Sequence, residues 1–166
     1  DKNSATYPLD RALVRSLEDK KVHIGLPQWS VKEWKGGLYP KGSSAKDFLS
    51  LYAKKLSCVE VSSTFYADIS QETVKKWVGS VPKSFFFLPK WPQKITHDSY
   101  LSQCKKEIKQ FLETLDAFGE NLGSSLLQLP PQFSRDYSRN LYYFLLEIPS
   151  DFSLSIEFRH FSWFHQ

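Results

Sequence analysis

The chain has 166 residues, 41% of them hydrophobic and 16% aromatic, and a formal charge of +4. This length and apolar content suit one domain with its own core and exclude a disordered chain. The basic residues form no single long run. Pairs such as Lys54-Lys55, Lys75-Lys76 and Lys105-Lys106 fall on predicted helices and read first as solvated faces, with an anionic ligand as the second reading.

Leu9, Ala12, Leu13 and Leu17 recur at helical spacing and predict a short amphipathic helix. Residues 22–26 read as the first strand, followed by a Trp/Gly/Pro-rich loop from Gln28 to Gly42. Ser43 or Ser44 is placed to cap a helix with Phe48, Leu49, Leu51, Tyr52 and Leu56 on its apolar face. Residues 59–64 form the second predicted strand. Ser70 caps the next helix, which carries Val74, Trp77, Val78 and Val81. A third strand over 84–88 precedes a helix over 100–118, striped by Leu101, Cys104, Ile108, Phe111, Leu115 and Phe118. The fourth strand, 125–129, stops at Pro130-Pro131. A helix with Tyr137, Leu141, Phe144, Leu145 and Ile148 leads to the fifth strand, 154–158.

Strict alternation of strand and helix argues for parallel strands joined by crossover helices. A doubly wound sheet and a (β/α)8 barrel both fit that order. Strand polarity separates them. Val59, Val61, Ile156 and Phe158 suit a face under helices, whereas Glu60, Ser62, Glu157 and Arg159 alternate with them and would point to an interior. The expected class is α/β, a TIM (β/α)8 barrel truncated to about five strands, with 1–166 as one partial domain. Methionine is absent, position 1 included, and further barrel strands are expected outside this sequence. Cys58 and Cys104 read as small buried hydrophobes rather than a disulfide, which fits a reducing, cytoplasmic compartment. No signal peptide or membrane-spanning run is expected.

Several segments recur in order as a family pattern: Gly25-Leu-Pro-Gln-Trp29, Trp34-Lys-Gly36, Tyr39-Pro40, Val59-Glu60, Thr64-Phe-Tyr66, Lys90, Thr96-His97, Leu127-Gln-Leu-Pro-Pro131, and Glu157-Phe-Arg-His160 with Trp163. From about His23 to Trp163 the chain resembles the family called domain of unknown function 72, or YecE-like proteins. The resemblance implies a (β/α)8 barrel of bacterial or archaeal cytoplasm, longer than this chain, with no assigned reaction. The family's closing portion, with a His-Gly motif and an Asn-rich strand end, is not in this sequence. Two departures stand out: Pro27-Gln28 replace a small or hydroxyl residue, and Ser62 stands near where an Asn is usual. If those positions touch substrate, an altered specificity or a lost activity is implied.

In a barrel, the site lies at the C-terminal strand ends. The catalytic candidates are Glu60, Glu157, Lys90 and His97; the substrate-binding candidates are Gln28, Trp29, Ser62, Tyr66, Gln128, Arg159 and Trp163. Glu60 and Glu157 suit general acid and base, or one ionised and one protonated. The structural alternative is a pair of ion pairs, Glu60 with Arg159 or Glu157 with Lys90. Lys90 suits charge binding of a phosphate or carboxylate better than a Schiff base, because nearby carboxylates keep it protonated. Arg159 is a bidentate anion clamp. His97 reads as a proton carrier or a surface hydrogen-bonding group. Trp29, Trp34, Tyr39, Phe65, Tyr66, Trp91 and Trp163 either stack on a ligand or cover the end of the core. No metal is assigned, no phosphate-loop or dinucleotide motif occurs, and the cofactor is unknown. The expected partner is a small polar or anionic metabolite; a nucleic-acid-binding or nucleic-acid-processing barrel and a non-catalytic binding module are the alternatives.

Overall fold

The computed structural model describes residues 22–164. The helix expected from Leu9 to Leu17 lies outside the described residues, as does His165. Five strands follow in chain order: β1 (Gly25–Leu26), β2 (Cys58–Val61), β3 (Phe86–Pro89), β4 (Ser125–Gln128) and β5 (Leu154–Glu157). The α-helices between them are α1 (Phe48–Ala53), α2 (Ser63–Tyr66), α3 (Gln71–Val78), α4 (Lys105–Asp116) and α5 (Ser138–Glu147).

Every strand pairing is parallel: β1 with β2, β2 with β3, and β4 with β5. The two groups meet at a seam where β3 touches the β4 segment through parallel bridges Phe87–Leu122 and Lys90–Leu126. Between those bridges three steps along β3 match four along its neighbour, so one residue is extra. Gly123 sits there, its N–H donating to the Phe87 carbonyl at 2.7 Å. Pro89 has no N–H to contribute to the ladder. The extra residue acts as a bulge and turns Leu126 onto the opposite face from Leu122. The five strands form a parallel arc, and the described residues do not close it into a barrel.

The strands alternate in burial as the sequence predicts. Val59, Val61, Phe87, Leu127 and Leu129 are fully buried beneath the helices. Two core clusters lie on that side. One packs β2 and β3 against α1 and α3 through Phe48, Tyr52, Val74 and Phe118; the other packs β4 against α4 and α5 through Trp91, Ile108, Phe111 and Phe144. The opposite, open face carries Glu60, Leu88, Lys90, Leu126, Gln128 and Glu157, all half-buried. Register pairs Glu60 with Leu88, Lys90 with Leu126, and Gln128 with Glu157, so these side chains share a face.

Some element boundaries differ from the sequence expectation. The first strand shrinks to Gly25–Leu26, with Val22 and Ile24 exposed. The second ends at Val61, and residues expected as strand up to Thr64 turn into α2. Thr64 explains the turn: its hydroxyl contacts the carbonyl oxygens of Val61 and Lys90, both at 2.7 Å. The helix expected from residue 100 begins at Lys105, and Cys104 is its buried N-terminal flank. Before it lie a π-turn over Lys94–Asp98 and three left-handed residues, Tyr100 (φ 47°), Leu101 (φ 61°) and Gln103 (φ 52°). Ser70 caps α3 as expected, accepting from the Thr73 N–H at 3.2 Å, while neither Ser43 nor Ser44 caps α1, which starts after a 3-10 turn at Ala45–Asp47.

Candidate functional site

The C-terminal ends of the strands gather the polar residues into two groups. The first surrounds Glu60 near the end of β2. Ser62, just past the strand, lies 2.9 Å from Glu60 Oε1 and 3.0 Å from the Pro27 carbonyl, so its single hydroxyl proton serves one acceptor at a time. Gln28, Trp29, Glu60, Ser62 and Tyr66 line a pocket of about 260 Å³ between the loop after β1 and α2. Trp29 is anchored edge-on against Trp77 at 5.1 Å, and Tyr39 donates its hydroxyl to the Trp29 carbonyl. Burial, with a contribution from Tyr52, pushes the Tyr39 phenol up to about 12, which removes it from proton chemistry near neutrality. Tyr66 is 77% exposed and stands edge-on to Phe65 at 4.9 Å.

The second group lies across Phe65. The Lys90 ammonium sits over the Phe65 ring, 4.5 Å from its centroid, and His97 meets the same ring edge-on at 5.0 Å. His97 belongs to the π-turn. Its Nδ1 is 2.8 Å from the Thr96 hydroxyl, which also reaches the Pro92 carbonyl at 3.1 Å. When the hydroxyl proton goes to Pro92, Nδ1 must be the donor to Thr96, and Nε2 is left with the free lone pair. Burial lowers the His97 pKa below its ordinary value, and the charges of Lys90 and Arg159 lower it further, against a weaker upward pull from Asp98. His97 is therefore a neutral imidazole at neutral pH.

Glu157 completes this group. Gln128 donates to its Oε2 at 2.8 Å and Arg159 Nε to its Oε1 at 2.6 Å. Burial pushes the Glu157 carboxyl up, but the bonds from Gln128 and Arg159 and the charges of Arg159 and Lys90 together hold it below the ordinary carboxylate range. It is ionised at neutral pH, with one donor on each oxygen. Neither ion pair weighed from the sequence forms. Arg159 pairs with Glu157, two residues before it on the same side of the chain, instead of with Glu60. Lys90 acts on Glu157 through space, yet among the described residues no carboxylate is within ion-pair distance of it.

Ten of the expected site residues thus fall into two adjoining groups: Gln28, Trp29, Glu60, Ser62 and Tyr66, and Lys90, His97, Gln128, Glu157 and Arg159. Trp163 joins neither by any contact. Its indole N–H donates to the Phe133 carbonyl at 2.7 Å, and its ring packs on Phe133 and Phe158. Trp91 and Tyr39 are buried core residues. The sequence reading assigned no role to Thr64, which fixes the ends of β2 and β3, and did not mark Asn140. The Asn140 amide donates to the Tyr100 carbonyl at 2.9 Å and pins the left-handed segment behind His97. The three left-handed positions carry Tyr, Leu and Gln, which have no preference for that conformation, so the sequence did not mark them. Among the described residues no three His, Cys, Asp or Glu side chains come together as a metal site, and no helix is long and apolar enough to cross a membrane.

Known proteins share both the sequence pattern and the architecture. UPF0759 protein YecE of Escherichia coli (strain K12) is 32% identical over 139 residues, covering 84% of this chain and 48% of YecE. UPF0759 protein YunF of Bacillus subtilis (strain 168) is 27% identical over 153 residues, covering 86% of the chain and 52% of YunF. The chain thus spans about half the length of these relatives. Among solved structures, a DUF72 family protein from Thermotoga maritima MSB8 superposes with a TM-score of 0.75 at 26% identity, covering 87% of this chain and 58% of that one. One from Enterococcus faecalis V583 gives 0.71 at 26% identity, covering 86% and 52%. These likenesses extend the mixed α/β, parallel-strand architecture to solved members. The family model described as protein of unknown function DUF72 matches residues 23–166, and the chain belongs to that family.

Proposed function

We propose that the five-strand arc is the first part of a (β/α)8 barrel and that its strand-end surface is the active site of an acid–base enzyme. The observation that carries this reading is that a neutral His97, a pocket-lining carboxylate (Glu60) and a donor-bound carboxylate (Glu157) stand at the same ends of the strands. In general acid–base catalysis, a positioned side chain gives or takes a proton at the reacting atom while neighbouring groups hold fixed charges. His97 and Glu60 are the proton-moving residues in this reading. Lys90 and Arg159 bind negative charge on the substrate or in the transition state, and Glu157 fixes Arg159 in place. The substrate is a small polar metabolite, and the reaction is a proton transfer, such as an isomerisation or elimination. Pro27 and Gln28 shape the mouth beside Glu60 and tune which metabolite enters. The free thiols of Cys58 and Cys104 and the bacterial relatives support a bacterial cytoplasmic setting.

The test is solvent-proton exchange. The complete protein is incubated in deuterium oxide with a pool of polar metabolites, and carbon-bound deuterium is followed by mass spectrometry and NMR. One or more metabolites are expected to gain deuterium, with the gain abolished in Glu60→Gln and His97→Gln proteins that keep the native melting profile. Exchange that persists in both variants would remove these residues from the chemistry. No exchange with any metabolite, alongside salt-sensitive binding of single-stranded nucleic acid, would favour the nucleic-acid reading instead.

A further inference from the structure

The two polar groups are neighbours, and their chemistry is complementary. Phe65 contacts both: its ring centroid is 4.9 Å from that of Tyr66, which lines the pocket, and 4.5 Å from the Lys90 ammonium. Register also places Lys90 two residues beyond Leu88, the partner of Glu60, on the same open face as the pocket's carboxylate.

The pocket side offers hydroxyl-binding groups between aromatic surfaces. Glu60 has acceptor capacity beyond its contact with Ser62, and the exposed Gln28 amide both donates and accepts. The indole of Trp29 and the exposed ring of Tyr66 supply apolar walls for C–H groups. The volume of about 260 Å³ falls just under the ~300–1,000 Å³ of drug-sized sites, which suits one sugar ring and not a nucleotide.

The cation side sets the charge of the ligand. Arg159 is matched by Glu157, and Glu157 is already bound by Gln128 as well. Lys90 has no such match among the described residues. With His97 neutral, the formal charges of Lys90 and Arg159 are balanced by those of Glu60 and Glu157, so the surface has one cation free of an ion-pair partner and no surplus positive charge for a dianion. A carboxylate brings one negative charge, whereas a phosphate monoester brings about −1.5 to −2.

We propose that the strand-end surface binds a sugar acid, its ring in the Gln28–Trp29–Glu60–Ser62–Tyr66 pocket and its carboxylate reaching past Phe65 to Lys90 and the free edge of Arg159. As a substrate class this rests on the enzymatic reading above, but binding alone tests it.

A matched probe set differing at carbon 6 is used on the complete protein: D-glucuronate, D-glucose and D-glucose 6-phosphate, with D-galacturonate covering the other hydroxyl arrangement. Affinities are read by titration calorimetry and saturation-transfer NMR at pH 7.5 and low salt. One of the uronates is expected to bind at least about tenfold more tightly than glucose. Lys90→Gln should erase that advantage, Lys90→Arg should keep most of it, and Glu60→Gln should weaken uronate and glucose alike. Equal binding of uronates and glucose would overturn the proposal. So would preference for glucose 6-phosphate over both uronates, an advantage that survives in Lys90→Gln, or no binding by any probe. The two readings fail separately. Uronate binding without deuterium exchange leaves the ligand class standing and sinks the acid–base reading; exchange confined to a neutral metabolite does the reverse.

Discussion

Glu60 and Glu157 are the same residue type, at the same end of neighbouring parts of one sheet, and their surroundings set them to different tasks. Glu157 is held by Gln128 and Arg159, with Lys90 acting through space, and the combined effect keeps it ionised. Glu60 has one hydroxyl contact, from Ser62, and opens onto a pocket. A carboxylate bound at both oxygens holds its neighbours in place and has fewer acceptor sites left for a ligand. One with a single shared donor can meet a substrate. The difference follows the sheet. Glu60 stands on the β1–β3 side of the seam, over the core of Phe48, Tyr52 and Phe87. Glu157 stands on the β4–β5 side, over the core of Trp91, Phe111 and Phe144. Each half has its own buried cluster, with Leu122 packed against both, so a perturbation of one should reach the other only weakly.

The largest blow to the Glu60 half comes from Gly25. A Cβ there would lie 2.1 Å from the Cys58 carbonyl oxygen, a backbone atom that cannot move without breaking the β1–β2 pairing. Gly25→Ala is expected to cost about 3 kcal/mol, the upper end for overpacking. Because Pro27 and Gln28 follow directly, amide exchange should accelerate around the Glu60 pocket while β4 and β5 stay protected. Uniform loss of protection would show that the halves do not unfold separately. A milder strike is Tyr52→Phe. The buried Tyr52 hydroxyl accepts from the Leu26 N–H at 2.6 Å and faces the Cys58 carbonyl at 3.1 Å, stitching β1 to β2. Its loss should lower stability by about 1 kcal/mol in urea unfolding, again on that side only.

The Glu157 half is probed best by titration. Burial is the first cause of the depressed His97 pKa, and Lys90 and Arg159 are the next. Lys90→Gln should raise the His97 pKa in an NMR titration, and Arg159→Gln should raise it by less, with neither reaching the ordinary value. The linkage sign follows. Since the folded pKa is depressed, the stability tied to neutral His97 is fully present above the unfolded value of about 6.5. It is lost as pH falls from there towards the folded pKa, and this acid loss should shrink in Lys90→Gln. An unmoved His97 pKa in both variants would separate His97 from the cation group.

How much of this was legible in the sequence differs between faces and connections. Alternation of Val59, Glu60 and Val61, or of Leu127, Gln128 and Leu129, shows which side chains share a face, because a strand reverses its side chains at every residue. The shared open face of Glu60, Lys90, Gln128 and Glu157 followed from that alone. The partners on that face did not. The choice of Arg159 for Glu157 depends on a half-buried edge strand, and either ion pair drawn from the sequence was chemically as good. The seam bulge at Gly123 was hidden, since one extra residue changes register without changing composition. The π-turn around His97 was hidden for a related reason. Leu101 at φ 61° has no local preference for that conformation; tertiary contacts impose it, with the Leu101 N–H donating to the Ile95 carbonyl and Asn140 holding Tyr100.

The smallest expected effect on the fold is also the one that most sharply divides packing from binding. Tyr66 is 77% exposed, and among the described residues its only ring neighbour is Phe65. Tyr66→Ala should change stability by less than about 0.5 kcal/mol, as for other surface substitutions. If the ring walls the sugar pocket, the same change should weaken uronate binding about fivefold, the equivalent of the ~1 kcal/mol of one aromatic contact. Trp163 gives the contrast. It is tied to the Phe133 carbonyl and stacked in the second core, so Trp163→Leu should cost stability and leave uronate affinity nearly unchanged once the fold is intact. Both are aromatics a few residues past a strand end, and composition cannot tell them apart. A Tyr66→Ala protein that binds uronate as well as the parent would reduce Tyr66 to a surface ring, and would move the ligand away from α2 towards Trp29.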